Sequence, residues 1–177
     1  CGDHLLQHAR HTEQGLVWAK PGTHGLSGLS HGGAGFAVAL VALYRATGHQ
    51  PYRDAAFAAL AHEATLFNPA VGNWRDVRGF TGHDVGTVQH CGCSWCHGAP
   101  GIALGRAAVL RMLADELTVA EHRQLSSDLE VALTTTRQSL ANLEAPAIDD
   151  LCCGAAGRID ILLECGRLLG QAEWVDF

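Results

Sequence analysis

Three times along the chain a Gly-x-x-Gly opens an apolar run, and each time the residues just before it are types that bind metals or move protons. Aligned on the glycines, the copies read Leu29-Ser30-His31-Gly32-Gly33-Ala34-Gly35, Trp95-Cys96-His97-Gly98-Ala99-Pro100-Gly101 and Leu151-Cys152-Cys153-Gly154-Ala155-Ala156-Gly157. The second glycines, Gly35, Gly101 and Gly157, stand 66 and 56 residues apart, room for two helices and a loop per unit. Such self-similarity is the signature of a stacked or circular helical array. In an array of that kind equivalent positions face a common place, and in a closed ring that place is the centre. The units begin near residues 28, 94 and 151.

The rest of the composition narrows the possibilities. The chain has 177 residues, 47% of them apolar, enough for one hydrophobic core. A formal charge of -6 with only 12 Lys and Arg offers no basic stripe to neutralise phosphates, which argues against nucleic acid. No apolar run approaches the ~18 residues of a membrane span, and no signal-peptide pattern is present. The seven cysteines are bunched at 91 to 96 and at 152 to 153 rather than spread as a disulfide framework. That favours a reduced, cytoplasmic setting with metal or thiol chemistry. The chain starts at Cys1, and its first clear unit comes only at residue 32, which reads as a piece of a longer protein.

Taken in order, residues 3 to 11 carry the spacing of a short helix, and residues 15 to 27 read as glycine-spaced loop with Trp18 packed over the next unit. From Ala34 to Leu43 nearly every residue is apolar, so that helix should be buried on most faces. Pro51 sits where a helix can start without its missing N–H, and Ala55, Ala56, Ala59, Leu60, Glu63, Ala64 and Phe67 keep a 3.6 period. Residues 68 to 89 read as a long irregular loop, a kind that is usually functional. A second apolar helix runs from about Pro100 to Asp115. Thr118 with Glu121 forms a capping box for a helix reaching about Asn142. Residues 145 to 150 return the chain to the third motif, a last helix spans about 155 to 170, and an acidic tail ends at Phe177. No stretch alternates convincingly, so the fold class expected is all-α.

The cysteines supply the first chemical reading, a zinc site made by Cys96, Cys152 and Cys153. Three protein ligands and an open fourth position mark a catalytic rather than a structural zinc, and helix N-termini stabilise thiolates. All-thiolate ligation would keep an incoming thiolate nucleophilic, which predicts a thiol substrate. A local knuckle from His90, Cys91, Cys93, Cys96 and His97 is a competing metal site, although the repeat register selects Cys96 with the 152–153 pair. Buried free cysteines acting as small hydrophobes are the plain alternative, suited to Cys165 and Cys1. His31 matches His97 and Cys153 in register and should face the same cavity. Imidazole as a class exchanges protons near neutral pH, so His31 is the candidate acid or base, unless it only bonds its own turn. His97 reads as a residue that orients a ligand or the substrate. The remaining histidines, such as His4, His8 and His122, read as solvated. The glycines have a steric explanation, since glycine lets a helix start close against neighbouring backbone.

These motifs, with Asn73-Trp74 and Asp76 between them, resemble the cyclase domain of lanthipeptide synthetases, in detail the class II, bifunctional type, over essentially the whole chain. The resemblance implies an α/α toroid of inner and outer helices with zinc at the top of the ring, of which about half is present here. It implies zinc as cofactor on Cys96, Cys152 and Cys153, the last being histidine in many relatives, and His31 as the acid/base for the enolate. The family's catalytic aspartate belongs to an earlier repeat that this chain lacks, and Gly92 stands where some relatives have arginine. The activity implied is addition of a cysteine thiol of a dehydrated precursor peptide to dehydroalanine or dehydrobutyrine, forming lanthionine or methyllanthionine. A dehydratase domain in the same full-length chain is the implied partner. Two rival expectations are a zinc- and thiol-binding relative, taking glutathione for instance, that cyclises nothing, and an inactive relic with structural zinc.

Overall fold

A computed structural model describes residues 1–142, 149–171 and 174. The return through 145 to 148 and most of the expected acidic tail lie outside the described residues. The elements are α1 (Gly2–His8), β1 (Arg10–Thr12), β2 (Gly15–Val17), α2 (Gly33–Thr47), α3 (Gln50–Ala64), β3 (Phe67–Asn68), β4 (Asn73–Trp74), α4 (Ala99–Met112), α5 (Val119–Ala141) and α6 (Ala155–Leu169). The chain is mainly helical, as expected. Two short antiparallel hairpins, β1 with β2 and β3 with β4, replace parts of what reads in sequence as helix end and loop. Strands of two or three residues are too short for alternation to register in a sequence.

The helix boundaries follow local chemistry. Gly48 ends α2 in the left-handed conformation, its N–H donating to the Tyr44 carbonyl at 2.7 Å. Proline at the first turn of α3 leaves no intrahelical bond unmade. The Thr118 hydroxyl accepts from the Glu121 amide at 3.2 Å while the Glu121 carboxylate accepts from the Thr118 amide at 2.8 Å, completing the capping box of α5.

Helix α4 is the centre of the packing. It lies against α2 on one side and α6 on the other, with α3 laid on α2 and α5 on α4. Its residues Ala99 to Ala103, Gly105 to Ala107, Val109 and Leu110 are all buried. Small side chains make the α2–α4 approach possible: a methyl added at Gly105 would press on Ala34. Trp18 stacks on Phe36 at 4.1 Å, covering the start of α2 as expected.

The second glycine of each motif does the same job three times. A Cβ at Gly35, Gly101 or Gly157 would overlap the carbonyl oxygen of Leu29, Trp95 or Leu151, in each case the residue six positions earlier. The chain therefore folds back over the first turn of α2, α4 and α6 at a distance only glycine permits. This places the residues before each helix on one end of the α2, α4, α6 row.

Candidate metal centre

The turn before α4 is built by short polar contacts. Ser94 N–H donates to the His97 carbonyl at 3.0 Å, and the His97 amide donates to Ser94 Oγ at 3.3 Å. Asn73 spans the gap below: its Oδ1 accepts from Ala99 N–H at 2.9 Å and its Nδ2 donates to the Gly92 carbonyl at 3.0 Å. The turn before α6 is held by Asp150, whose Oδ1 accepts from the Cys153 amide at 2.6 Å and the Gly154 amide at 3.1 Å. A backbone bond then joins the two turns, Trp95 N–H donating to the Cys152 carbonyl at 3.0 Å. Gly28, with φ of +98°, brings the first motif against them, since a side chain there would strike the Cys96 carbonyl and the His97 backbone.

The result is a cluster of three sulfurs from distant parts of the chain. The Sγ atoms of Cys96, Cys152 and Cys153 all lie within 4.8 Å of one another. Cys96 and Cys153 are 4.0 Å apart, Cys153 and Cys152 3.4 Å. Tetrahedral zinc with Zn–S of about 2.3 Å sets its sulfurs about 3.8 Å apart, so the trio fits that ion with small adjustments. Cys96 is 8% exposed, whereas Cys152 and Cys153 face solvent, which leaves an open side.

The trio is electrostatically graded. Burial pushes the Cys96 thiol up, but hydrogen bonds from Ser94, 3.2 Å away, and from Cys152 and Cys153 outweigh it and hold the thiol below its ordinary value. Cys152 is pushed up to about 12 by its bonds to Cys153 and Cys96. The opposite shifts of Cys96 and Cys152 are those of touching thiols, since negative charge on one sulfur disfavours it on the next.

The neighbouring candidates separate from this group. Cys91 Sγ donates to the Gln89 carbonyl at 3.7 Å, and burial pushes the Cys93 thiol up, with Ser139 opposing that shift. Neither joins a metal-type cluster among the described residues, so the local knuckle does not form. Cys165 is fully buried and pushed up to about 12 by that burial, whereas Cys1 is exposed rather than buried. Its place at the start of the short α1 gives it nothing to pack under.

His31 is exposed and stacks on His97, ring centroids 4.8 Å apart and planes at 17°. His97 is 1% exposed, and both its ring nitrogens are sealed from water without a hydrogen-bond partner. Burial pushes its pKa down, and Arg78 pushes the same way against the pull of Asp76. No hydrogen bond ties either imidazole to a sulfur. His62, read in sequence as solvated, is instead half-buried with Nδ1 3.4 Å from Thr12 Oγ1, because the β1–β2 hairpin folds over α3.

Several residues that build the site escaped the sequence reading. Asp150 sits at a helix-capping spacing before Cys153, a signal that was present. Glu63 is a lone carboxylate on the small-residue face of α3, which should have marked it as paired. Ser94 and Arg78 gave no local signal, and Asn73 entered only through the family resemblance, without a role. Among the described residues no helix is long and apolar enough to cross a membrane.

A search of the curated proteins finds no match to the chain. The family model described as lanthionine synthetase C-like protein matches residues 2–176, nearly the whole length and all three glycine motifs. A match over that much of the sequence settles the family: the chain belongs to the lanthionine synthetase C-like family.

Proposed function

We propose that this chain is the zinc-dependent cyclase part of a lanthipeptide synthetase, forming (methyl)lanthionine from a dehydrated precursor peptide, with α2, α4 and α6 as an arc of the inner ring of an α/α toroid. The observation that carries the reading is the three-sulfur cluster, assembled from Cys96 and from Cys152 and Cys153 some 56 residues later and open on one side. Zinc held there would acidify an incoming thiol and keep it bound as a nucleophilic thiolate. Ser94 and Asp150 fix the ligand turns, so the sulfurs need little reorganisation.

The reaction forms one C–S bond and breaks one C=C π bond. The peptide thiol loses its proton, its sulfur adds to the β-carbon of the dehydroamino acid, and the π pair moves onto the adjacent carbonyl as an enolate. A proton is then delivered to the α-carbon, so nothing is oxidised or reduced. His31, exposed at the mouth and held in place by stacking on buried His97, is the group suited to deliver that proton. A dehydratase domain in the full-length chain and a cytoplasmic setting belong to the same reading.

The test is to load the protein with zinc and supply peptides containing one dehydroalanine and one cysteine. Addition leaves the mass unchanged but removes a free thiol, so N-ethylmaleimide labelling followed by mass spectrometry counts the rings. Labelling should fall for the wild type and persist for Cys96→Ala and for His31→Ala. Zinc-dependent retention of a thiol with no loss of labelling would leave the thiol-binding alternative in its place.

A further inference from the structure

A cavity of about 290 Å³ opens beside the metal centre, between the segment carrying Trp18 to Leu26 and residues 77–81. Trp18, Leu26, Val77 and Phe80 give it apolar walls, and His31 and Arg78 border it. His31 connects this cavity to the thiol cluster, since it stacks on His97, the residue next to Cys96.

Arg78 is unusually well held for a side chain that is 55% exposed. The Asp76 carboxylate, itself 4% exposed, accepts from Arg78 Nε at 2.9 Å and from Nη2 at 2.5 Å, and its Oδ1 also takes the Arg78 amide at 3.1 Å. Asp76 is in turn pinned by its own amide donating to the His90 carbonyl at 2.9 Å. None of these bonds uses Nη1, which remains available to a ligand. Lys20 also borders the cavity, but as an exposed point charge on a flexible stem. A guanidinium fixed by a carboxylate presents its remaining N–H groups to an oxygen in a set direction.

Building on the proposed cyclase reading, we infer that Arg78, clamped by Asp76, binds the carbonyl oxygen of the dehydroamino acid in this cavity. Trp18 and Phe80 would enclose the apolar part of the same residue. When sulfur adds to the β-carbon, the π pair arrives on the oxygen that Arg78 already holds, so the guanidinium gains most at the enolate. That is the requirement for speeding the step rather than only tightening binding.

The probes are N-acetyldehydroalanine methylamide as electrophile and N-acetylcysteamine as thiol, with the zinc-loaded chain. Ligand-observed NMR measures electrophile binding, and thiol consumption measures addition. Arg78→Gln should weaken electrophile binding at least tenfold and slow addition by about 100-fold, with zinc content unchanged. Arg78→Lys should recover only a small part, because a point charge cannot keep the Asp76 geometry. Equal electrophile binding by wild type and Arg78→Gln overturns the assignment, as does a wild type that binds no electrophile. If the wild type binds electrophile through Arg78 yet adds no thiol, the cyclase reading fails and the Arg78 site stands.

Discussion

Glu63 on α3 and Arg106 on α4 meet at 2.7 Å with neither side chain exposed to solvent. The other carboxylate oxygen of Glu63 accepts from the Gly28 amide at 2.9 Å and the Ala34 amide at 3.0 Å, bracketing the loop that carries His31. Arg106 Nε donates to Asp128 on α5 at 3.0 Å. One buried ion network therefore ties the His31 loop to α3, α4 and α5, and fixes the first motif against the second. Removing one partner of such a pair leaves an uncompensated buried charge, so Glu63→Ala should destabilise the protein by about 3–5 kcal/mol. Asp128→Asn, which keeps the Glu63 bond and lies nearer solvent, should cost about 1–3 kcal/mol. Urea unfolding of the two variants checks this order. A loss below about 1 kcal/mol for Glu63→Ala would mean the network contributes little.

Metal content should follow the sulfur geometry. Cys96→Ala, Cys152→Ala and Cys153→Ala should each fail to retain zinc through dialysis, while Cys91→Ala and Cys93→Ala retain it. Asp150→Ala, which frees the Cys153 and Gly154 amides, should weaken zinc binding about tenfold without removing a ligand. Cobalt substitution gives an absorption readout of the same site. Retention by Cys152→Ala at wild-type affinity is the result incompatible with a three-thiolate centre.

Glycine at the second motif position should be irreplaceable. In Gly101→Ala the new methyl would overlap the Trp95 carbonyl and crowd Leu29, both backbone or near it, so the α4 turn must move. An overpacking cost of about 1–3 kcal/mol is expected, together with weaker zinc binding because Cys96 lies in that turn. Thermal unfolding with and without zinc measures both effects. Wild-type stability in Gly101→Ala would show that the close approach is not required.

Stability should fall on mild acidification partly through His62. Burial pushes its folded-state pKa down, only partly offset by the Gly25 backbone, so the unfolded chain binds the proton more readily. The contribution is complete above the unfolded value of about 6.5 and is lost as the pH falls toward the lower folded value. The slope for this one proton stays below about 1.4 kcal/mol per pH unit. Chemical denaturation between about pH 7.5 and 5.5, one unit either side of that value, should show a flatter profile for His62→Gln. An unchanged slope would assign the acid sensitivity elsewhere.

The periodic part of this protein is legible in its residues without any structure. The apolar run of α2, the proline at the start of α3 and the Thr118–Glu121 box of α5 are local signals, and each helix formed where they stood. The glycine motifs marked the helix starts, and their register selected Cys96 with Cys152 and Cys153 over the nearer Cys91 and Cys93. Tertiary structure alone decided how closely those thiols meet, because the Trp95 to Cys152 backbone bond and the Asp150 cap set turns that are far apart in sequence. It also decided that Glu63 is buried and paired, and that Asp76 aims Arg78 at a cavity. Periodicity is written in the free energy of single helices, whereas distances between sulfurs, carboxylates and guanidinium groups arise only when separate helices share one packed core.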